Sequence, residues 1–560
     1  MVYEYSPTPS GIHVAVRESL ERTQMIAPAP EQLARVSERA RLPENERELH
    51  TMLMIEGDMI AGEVDVPIEW LETLADNGRA KYIEPGLWIA AEHSEEYKAA
   101  LVEANMDART RIVRRLLRYR GAQSREQIAG RYLWTDEETQ VVLATLCGSG
   151  STVEYEGLYY HATLFERAQK ETIRMRRRQV RTLPPERYAA LLARRVQVPG
   201  DRKQALEAAL QKLYGLYFPP ALWESALLPA RVHGYRPELL DALLAEGGVC
   251  WRIVPDLGLG FHPYNDIDWD AEPLGIGADF EGSARVVFEA LLKRGASFMQ
   301  RLSGALGGAS PYDALMELAE RGIAHADSFV PVRQWIDRAK IENAPIRQRV
   351  RARVMTLMAG RWELMRPLKE LAAHQQLERG FDRSLILSRE TAQGLTWQDA
   401  VKVLRVWEYT GQVRRGYFIK GLSGMQYIRE RDFASIMSEM EEPDDEIIWL
   451  PAVDPAQPWG KYMAHYEGRA FMNLPGTVVA LRAGIPVAVF ERRGRTLRVF
   501  DGEYLGDALR VFAQDYATRR LFPAVRRITV KEYPSEAAAA LREAGFSREM
   551  QDFVMYRRPS

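Results

Sequence analysis

"LLRYRGAQSREQIAGRY", residues Leu116–Tyr132, closes one amphipathic helix, turns at a glycine and opens a second helix. The same order returns in "LLKRGASFMQRLSGAL", residues Leu291–Leu306, with paired leucines, two basic residues, a glycine and another helix-length segment. A phrase that recurs far along one chain points to a repeated supersecondary unit rather than to a single continuous core.

Working outward from these two stretches gives five units in fixed order: an apolar helix, a turn, a short helix, a third helix ending near glycine, and a β-rich stretch. They run over Leu49–Ala91, Arg111–Ala162, Gln204–Val254, Ala284–Phe329 and, in looser form, Leu371–Ile419. Ile112, Val113, Leu116 and Leu117 fall on one helical face of the second unit, with arginines on the other. Thr135 followed by Glu138 reads as a capping box that starts its third helix; Ser310 or Pro311, and Thr396, start the equivalents in the fourth and fifth units. Three short helices closed by a hairpin make a winged helix-turn-helix.

The period changes after "EMEEPDDE" (Glu439–Glu446), a linker by composition. "TVVALRAGIPVAVFERRGRTLRVF" (Thr477–Phe500) has strand-length runs broken at Ala483-Gly484 and Arg493-Gly494, and the second break reads as a two-residue hairpin turn. A helix follows with Leu505, Ala508, Leu509, Phe512, Ala513 and Tyr516 on one face. The expected fold is therefore α+β: tandem winged-helix modules followed by a C-terminal β-barrel-like domain. The expected boundaries are an N-terminal helical segment at 1–48, winged helices at 49–105, 106–170, 171–275 (with a linker), 276–345 and 346–438, and the barrel-like domain at 439–560.

Length and composition agree with several ordinary folded domains. The 560 residues suggest about three to five domains at roughly 100–200 residues each. Apolar residues make up 46% and charged residues 27%, which excludes a disordered chain. A net charge of -2 excludes a uniformly basic coat but not a local basic groove. The 2 cysteines, Cys147 and Cys250, cannot build a disulfide framework or a thiol-rich zinc site. No apolar run approaches about 18 residues, and the first residues lack a signal pattern, so a cytoplasmic protein with no membrane partner is expected.

Several chemistries are missing. No G-x-x-x-x-G-K-[ST] occurs, so ATP binding is not supported. The 9 histidines form neither H-E-x-x-H nor a deaminase zinc pattern. Neither a metal nor a cofactor is expected.

The third helices test DNA reading, because a helix entering the major groove should not be acidic. "IEWLETLADNG", "TDEETQVVLATL" and "SPYDALMELAERG" carry more acid than base, which suits packing against neighbours. The fifth unit differs. Lys402 and Arg405 lie on its third helix, and its wing reads "QVRRGYF", with Arg414, Arg415 and Tyr417, so a DNA-facing surface is expected there. Arg111, Arg114, Arg115 and Arg118 surround one helix, and Arg174, Arg176, Arg177 and Arg178 crowd another stretch; phosphate contact and a merely solvated face compete as readings. Arg361 and Trp362 in "GRWELMRP" suit stacking on an unpaired base, with a core tryptophan as the rival.

Taken together, "LLRYRGAQSREQIAGRY", "LPARVHGYRPELLDALLAEGGVCW", "LLKRGASFMQRL", "AGRWELMRP", "VRRGYFIKGLSGMQY", "VDPAQPWG" and "GIPVAVFERRGRTLRVF" resemble, in order, the region C-terminal to the ATPase core of large helicase-related (Lhr-type) superfamily 2 DNA helicases. The likeness runs from about Glu18 to the end. It implies a winged-helix array plus a β-barrel, similar to the YcaQ/AlkZ-type DNA glycosylases, a link to DNA repair, and in some members uracil-DNA glycosylase activity and oligomers. The helicase motor is not in this sequence, so the resemblance implies a separate Lhr-type ATPase subunit as partner, with single-stranded or forked DNA as ligand. The glutamine pair of the glycosylases has no counterpart here. Carboxylates in motif-like places are Asp454 in "VDPAQPWG" and Asp552 in "REMQDFVMY"; each is a candidate for activating water, against a turn role for Asp454 and a plain surface role for Asp552. A protein-interaction scaffold is the rival function, favoured by the three acidic third helices.

Overall fold

The computed structural model describes residues 26–37, 42–357 and 360–557; most of the helical segment expected over 1–48 lies outside them. The chain forms two compact units, residues 1–180 with 406–411, and residues 181–405 with 412–560.

The first unit contains two winged helices. In the second of them, helices Met106–Tyr119, Arg125–Tyr132 and Asp136–Gly148 are followed by strands Thr152–Tyr155 and Leu158–His161, and Gln123–Ser124 adds the third strand. The expected face is the core: Ile112, Val113, Leu116 and Leu117 are at most 1% exposed, and burying each such side chain contributes roughly 1.5–3 kcal/mol. The Thr135 capping box forms, the Glu138 amide donating to the Thr135 hydroxyl and the Thr135 amide to the Glu138 carboxylate. The first winged helix is abbreviated. Helices Glu46–Glu56 and Ile68–Asp76 and strands Met59–Ile60, Ala80–Ile83 and Leu87–Ala90 are present, but turns replace its second helix.

In the second unit the third and fourth winged helices share one core. Helix Arg202–Leu213, the segment Pro220–Arg231 and helix Pro237–Ala245 pack with the hairpin Val249–Val254/Gly258–Pro263, and Trp223, Trp251 and Phe261 sit in the same cluster as Val287, Leu315 and Trp362 from the next module. That next module has helices Gly282–Arg294, Met299–Ala305 and Tyr312–Glu320. Its sheet pairs Ala324–Ala326 and Ser297–Phe298 with Arg361–Leu364. The wing therefore carries an insertion with three helices, Val330–Ile336, Arg338–Glu342 and Ile346–Leu357. This moves the closing strand past the boundary expected at 345/346, because pairing across a sheet ignores the length of the loop between strands.

The fifth module, helices Ala373–Ser384 and Trp397–Tyr409 with strands Ile386–Leu387, Val413–Gly416 and Gln426–Arg429, also replaces its second helix with turns. Thr396 caps its last helix, its hydroxyl accepting from the Asp399 amide.

The C-terminal domain follows without a closed barrel. Its strands form an antiparallel meander, Ile447–Pro451, Val478–Arg482, Ile485–Glu491 and Thr496–Val499, and a separate three-stranded sheet, Arg527–Val530, Asp552–Tyr556 and Ser547–Glu549. The two sheets and helix Leu505–Ala517 enclose one core through Leu505, Leu509, Phe512 and Tyr516, so a helix covers the space that barrel closure was expected to fill. The two-residue turn is Ala483-Gly484, where φ is +46° and +83° and Arg482 pairs with Ile485. The expected Arg493-Gly494 turn instead lies inside a longer link with Arg492 and Arg493 both left-handed. Gly484 has a second constraint: a Cβ there would lie 1.9 Å from the Glu186 carbonyl oxygen of helix Pro185–Arg194.

Candidate nucleic-acid interface

Most of the arginines singled out in the sequence are already engaged. Arg111 and Arg115 both bind Glu96, at 2.8 and 2.9 Å. Arg174 pairs with Glu171, and Arg177 holds Glu408 through two bonds of 2.7 and 2.8 Å. Arg118 rests over the Tyr119 ring, and Arg176 also has a partner. Arg114 and Arg178 are exposed, with no ion pair among the described residues.

The expected surface of the fifth module is similarly occupied. Lys402 pairs with Asp399 at 2.8 Å, Arg414 binds Glu430 and lies 3.8 Å from the Phe433 ring centroid, and Arg415 is engaged as well. Arg405 is half-buried and Tyr417 is 52% exposed. Arg361 pairs with Asp327, while Trp362 is fully buried with its ring edge-on to Trp251. The stacking role expected of Trp362 is therefore replaced by a core role, since the strand Arg361–Leu364 turns that side chain inward.

The two carboxylates also separate. Asp454 is fully buried: the Arg231 guanidinium donates to both of its oxygens, one of them at 2.8 Å, and the Ala456 amide donates to the same Oδ1 at 2.9 Å. Burial alone would raise the Asp454 pKa, but Arg231 outweighs it and holds the group below the usual carboxylate range. Lys461 donates to the Asp454 carbonyl, and burial pushes its ammonium down to about 8. A carboxylate so enclosed ties the third module to the C-terminal domain and has no open face for water. Asp552 is different, half-buried at the start of its strand with Lys531 Nζ 3.7 Å away.

The second unit contains a groove of ≈ 1190 Å³ to which no sequence pattern pointed. Its walls are the Pro220–Ala226 segment, the Gly234–Glu238 loop, the insertion helices around Arg333 and Lys340, and two stretches of the C-terminal domain, around Arg493 and over Ala517–Val525. The cations Arg202, Arg236, Arg333, Lys340, Arg493, Arg519 and Arg520 line it, against the carboxylates Glu224, Glu238 and Asp337.

These cations divide by partner. Arg333 is fixed by Glu224 at 2.7 Å and Asp241 at 2.5 Å; burial alone would depress its pKa, and the two carboxylates more than offset this. Arg520 binds Asp515, and Lys340 binds Asp337. Arg202, Arg236 and Arg493 are exposed and make no ion pair among the described residues. Tyr235 and Phe522 supply aromatic surface, and five prolines, Pro220, Pro237, Pro451, Pro475 and Pro523, stiffen the walls. Uncompensated guanidinium groups beside apolar and aromatic surface form a site suited to an unpaired nucleic-acid strand.

Reading along the chain misses this site because its arginines lie far apart in the sequence, in "PGDRKQ", "HGYRPE" and "ERRGR". The signal available was their position at two helix starts and in a turn, outside any helical stripe.

Comparison with known proteins agrees with this architecture. Residues 183–258 and 366–447 each match a family model described as large helicase-related protein, winged-helix domain. These are the third and fifth modules. A protein of Mycolicibacterium smegmatis named Lhr helicase/probable uracil glycosylase is 28% identical over 472 residues, covering 74% of this chain and 31% of its own length. The Lhr helicase/uracil glycosylase of Escherichia coli K12 is 27% identical over 458 residues, covering 69% of this chain and 30% of its own. The chain thus spans under a third of the length of these curated relatives.

Proposed function

We propose that this chain, a C-terminal region of the Lhr type, holds single-stranded or forked DNA in the groove lined by Arg202, Arg236 and Arg493, as an accessory to a helicase ATPase in DNA repair. The observation that carries the reading is the excess of cations in the groove, three of them exposed and free of ion pairs among the described residues. A solvated cation gains most from a phosphate when it has no carboxylate to give up. The winged-helix matches and the relatives' names support the DNA-related part of this reading.

The test is the anisotropy of a labelled single-stranded oligonucleotide titrated at several salt concentrations. Groove binding predicts a log–log slope of about -0.7 per phosphate neutralised. Absence of binding at about 50 mM salt, where such contacts are strong, would favour the scaffold reading and remove this one.

A second reading rests on the relatives' names, which include uracil glycosylase. Of the two candidate carboxylates, Asp552 is the one with solvent access, so uracil excision would use it in the activation of water. Alkali-labile breaks in uracil-containing DNA that vanish in Asp552→Asn support this; breaks that persist in the variant exclude Asp552.

A further inference from the structure

A second cavity, of ≈ 410 Å³, lies among helices Pro185–Arg194, Arg202–Leu213, Ala373–Ser384 and Glu430–Glu441. Six cations line it, Arg195, Lys212, Arg231, Arg383, Arg429 and Arg431, against the two carboxylates Asp382 and Asp432.

Three of the six are matched: Arg195 by Glu439, Arg231 by Asp454, and Arg429 by Glu378 and by Asp382 at 2.7 Å. Arg431, 71% exposed, reaches carboxylates only at 3.9 Å. Lys212 and Arg383 stand apart, because their partners are neutral. Lys212 Nζ donates to the Arg195 carbonyl at 2.9 Å. Arg383 donates through Nε to the Lys212 carbonyl at 3.1 Å, through Nη2 to the Tyr214 carbonyl at 3.0 Å, and through Nη1 to Gln393 Oε1 at 2.9 Å. An ammonium has three N–H donors and a guanidinium five, so both retain donors that no described residue accepts.

The electrostatic environment favours an anion. Burial, then Arg231 and Arg195, push Lys212 below the usual lysine range, and burial, then Arg379, push Arg383 down to about 10; the nearby Asp382 opposes both shifts without cancelling them. A cavity that disfavours its own charges is stabilised by a ligand of opposite sign.

We propose that this cavity binds a phosphate monoester, its oxygens held by the Lys212 ammonium and the Arg383 guanidinium, with Arg431 at the mouth. Two unmatched cations fit a dianion better than a carboxylate, which carries one charge, and three terminal oxygens use donors that a planar carboxylate leaves idle. The same chemistry is offered by a free nucleotide and by the 5′-phosphate of a DNA strand end. The site shares neither Lys212 nor Arg383 with the groove, so the two assignments stand or fall separately.

Calorimetry on the full chain tests this with thymidine monophosphate, thymidine, and one oligonucleotide carrying either a 5′-phosphate or a 5′-hydroxyl. The expected result is binding of thymidine monophosphate but not of thymidine, weakened about tenfold or more in Lys212→Met, as loss of a charge-assisted contact implies. A free-nucleotide site leaves the two oligonucleotides equal, whereas a strand-end site makes the phosphorylated one bind about tenfold tighter. If Lys212→Met does not fold, Arg431→Gln at the exposed mouth replaces it, with a weakening of roughly threefold, as expected of a solvent-screened charge. The assignment is overturned if neither phosphorylated probe outbinds its unphosphorylated counterpart, or if the folded variant binds as the parent does. The Arg202→Ala/Arg236→Ala/Arg493→Ala variant should bind thymidine monophosphate unchanged, which separates failure here from failure of the groove.

Discussion

In the seam between the first two winged modules, Arg115, Arg120 and Arg131 each meet a carboxylate, whereas Arg202, Arg236 and Arg493 in the groove make no ion pair among the described residues. The seam is a closed network. Arg120 binds Glu56 at 2.6 Å, and Arg131 binds Asp58 and Glu63, both at 2.9 Å. The Tyr97 hydroxyl donates to Asp58 at 3.1 Å, and Asp58 is only 1% exposed. The same side chain thus serves two ends. An arginine beside a buried carboxylate fixes one module against the next, and an arginine without one is left for an external anion. Density of arginine in the sequence does not distinguish them; the neighbouring acids do.

The contrast is tested most severely at Arg131. Arg131→Met strands the Asp58 carboxylate in the interior and should cost about 3–5 kcal/mol, read as an earlier first transition in urea, with oligonucleotide affinity unchanged. A variant as stable as the parent would break the distinction between the two sets.

Lys461 sharpens it with an intermediate case, a buried cation only partly compensated. Its folded-state pKa of about 8 lies below the ordinary 10.5. Between those values the unfolded chain binds the extra proton, so stability rises with pH across that window and its deficit is fully present below 8. The parent should gain on the order of 3 kcal/mol relative to Lys461→Met over this range. Taking the difference between the two proteins cancels the opposing ionisation of the buried tyrosines. A flat difference would show that the Lys461 ammonium is fully compensated.

The groove should respond in binding and not in stability. Arg202→Ala/Arg236→Ala/Arg493→Ala should reduce the salt slope by about 2, at roughly 0.7 per lost phosphate contact, with unfolding free energy within about 0.5 kcal/mol of the parent. An unchanged slope would move the DNA contact elsewhere, with Arg114 and Arg178 the next exposed guanidinium groups. The smallest effect belongs to Arg111→Ala. This surface pair with Glu96 should contribute no more than about 0.2–1 kcal/mol, and anisotropy should show no loss of affinity.

The winged modules were legible because their signals are local. The apolar face Ile112–Leu117, the Thr135 and Thr396 caps and the glycine-ended helices depend on spacing within a few turns of chain, and all form as read. Legibility failed where a partner lay far along the chain. Trp362 beside arginines left stacking and a core place as rival readings, and only the pairing of its strand with Ala324–Ala326 across an insertion decides for the core. Asp454 read as a turn or catalytic carboxylate, and Arg231, far away in sequence, claims both its oxygens. Both hairpin breaks fall where they were read, but the two-residue loop is at Ala483-Gly484 and the longer one at Arg493-Gly494, because a positive φ is open to either glycine and only strand register sets the loop length.

By itself, then, the sequence determined a chain of repeated helical modules with wings and a change to β-rich structure near its end, since helix period, caps and turn residues act over short distances. Tertiary structure alone decided which charges are satisfied, that helix Leu505–Ala517 covers two open sheets in place of a closed barrel, and that arginines from three distant regions converge on one groove. The physical reason is the range of the interactions: propensity and patterning are written between neighbours, whereas an ion pair depends on whatever residue folding brings within a few ångströms.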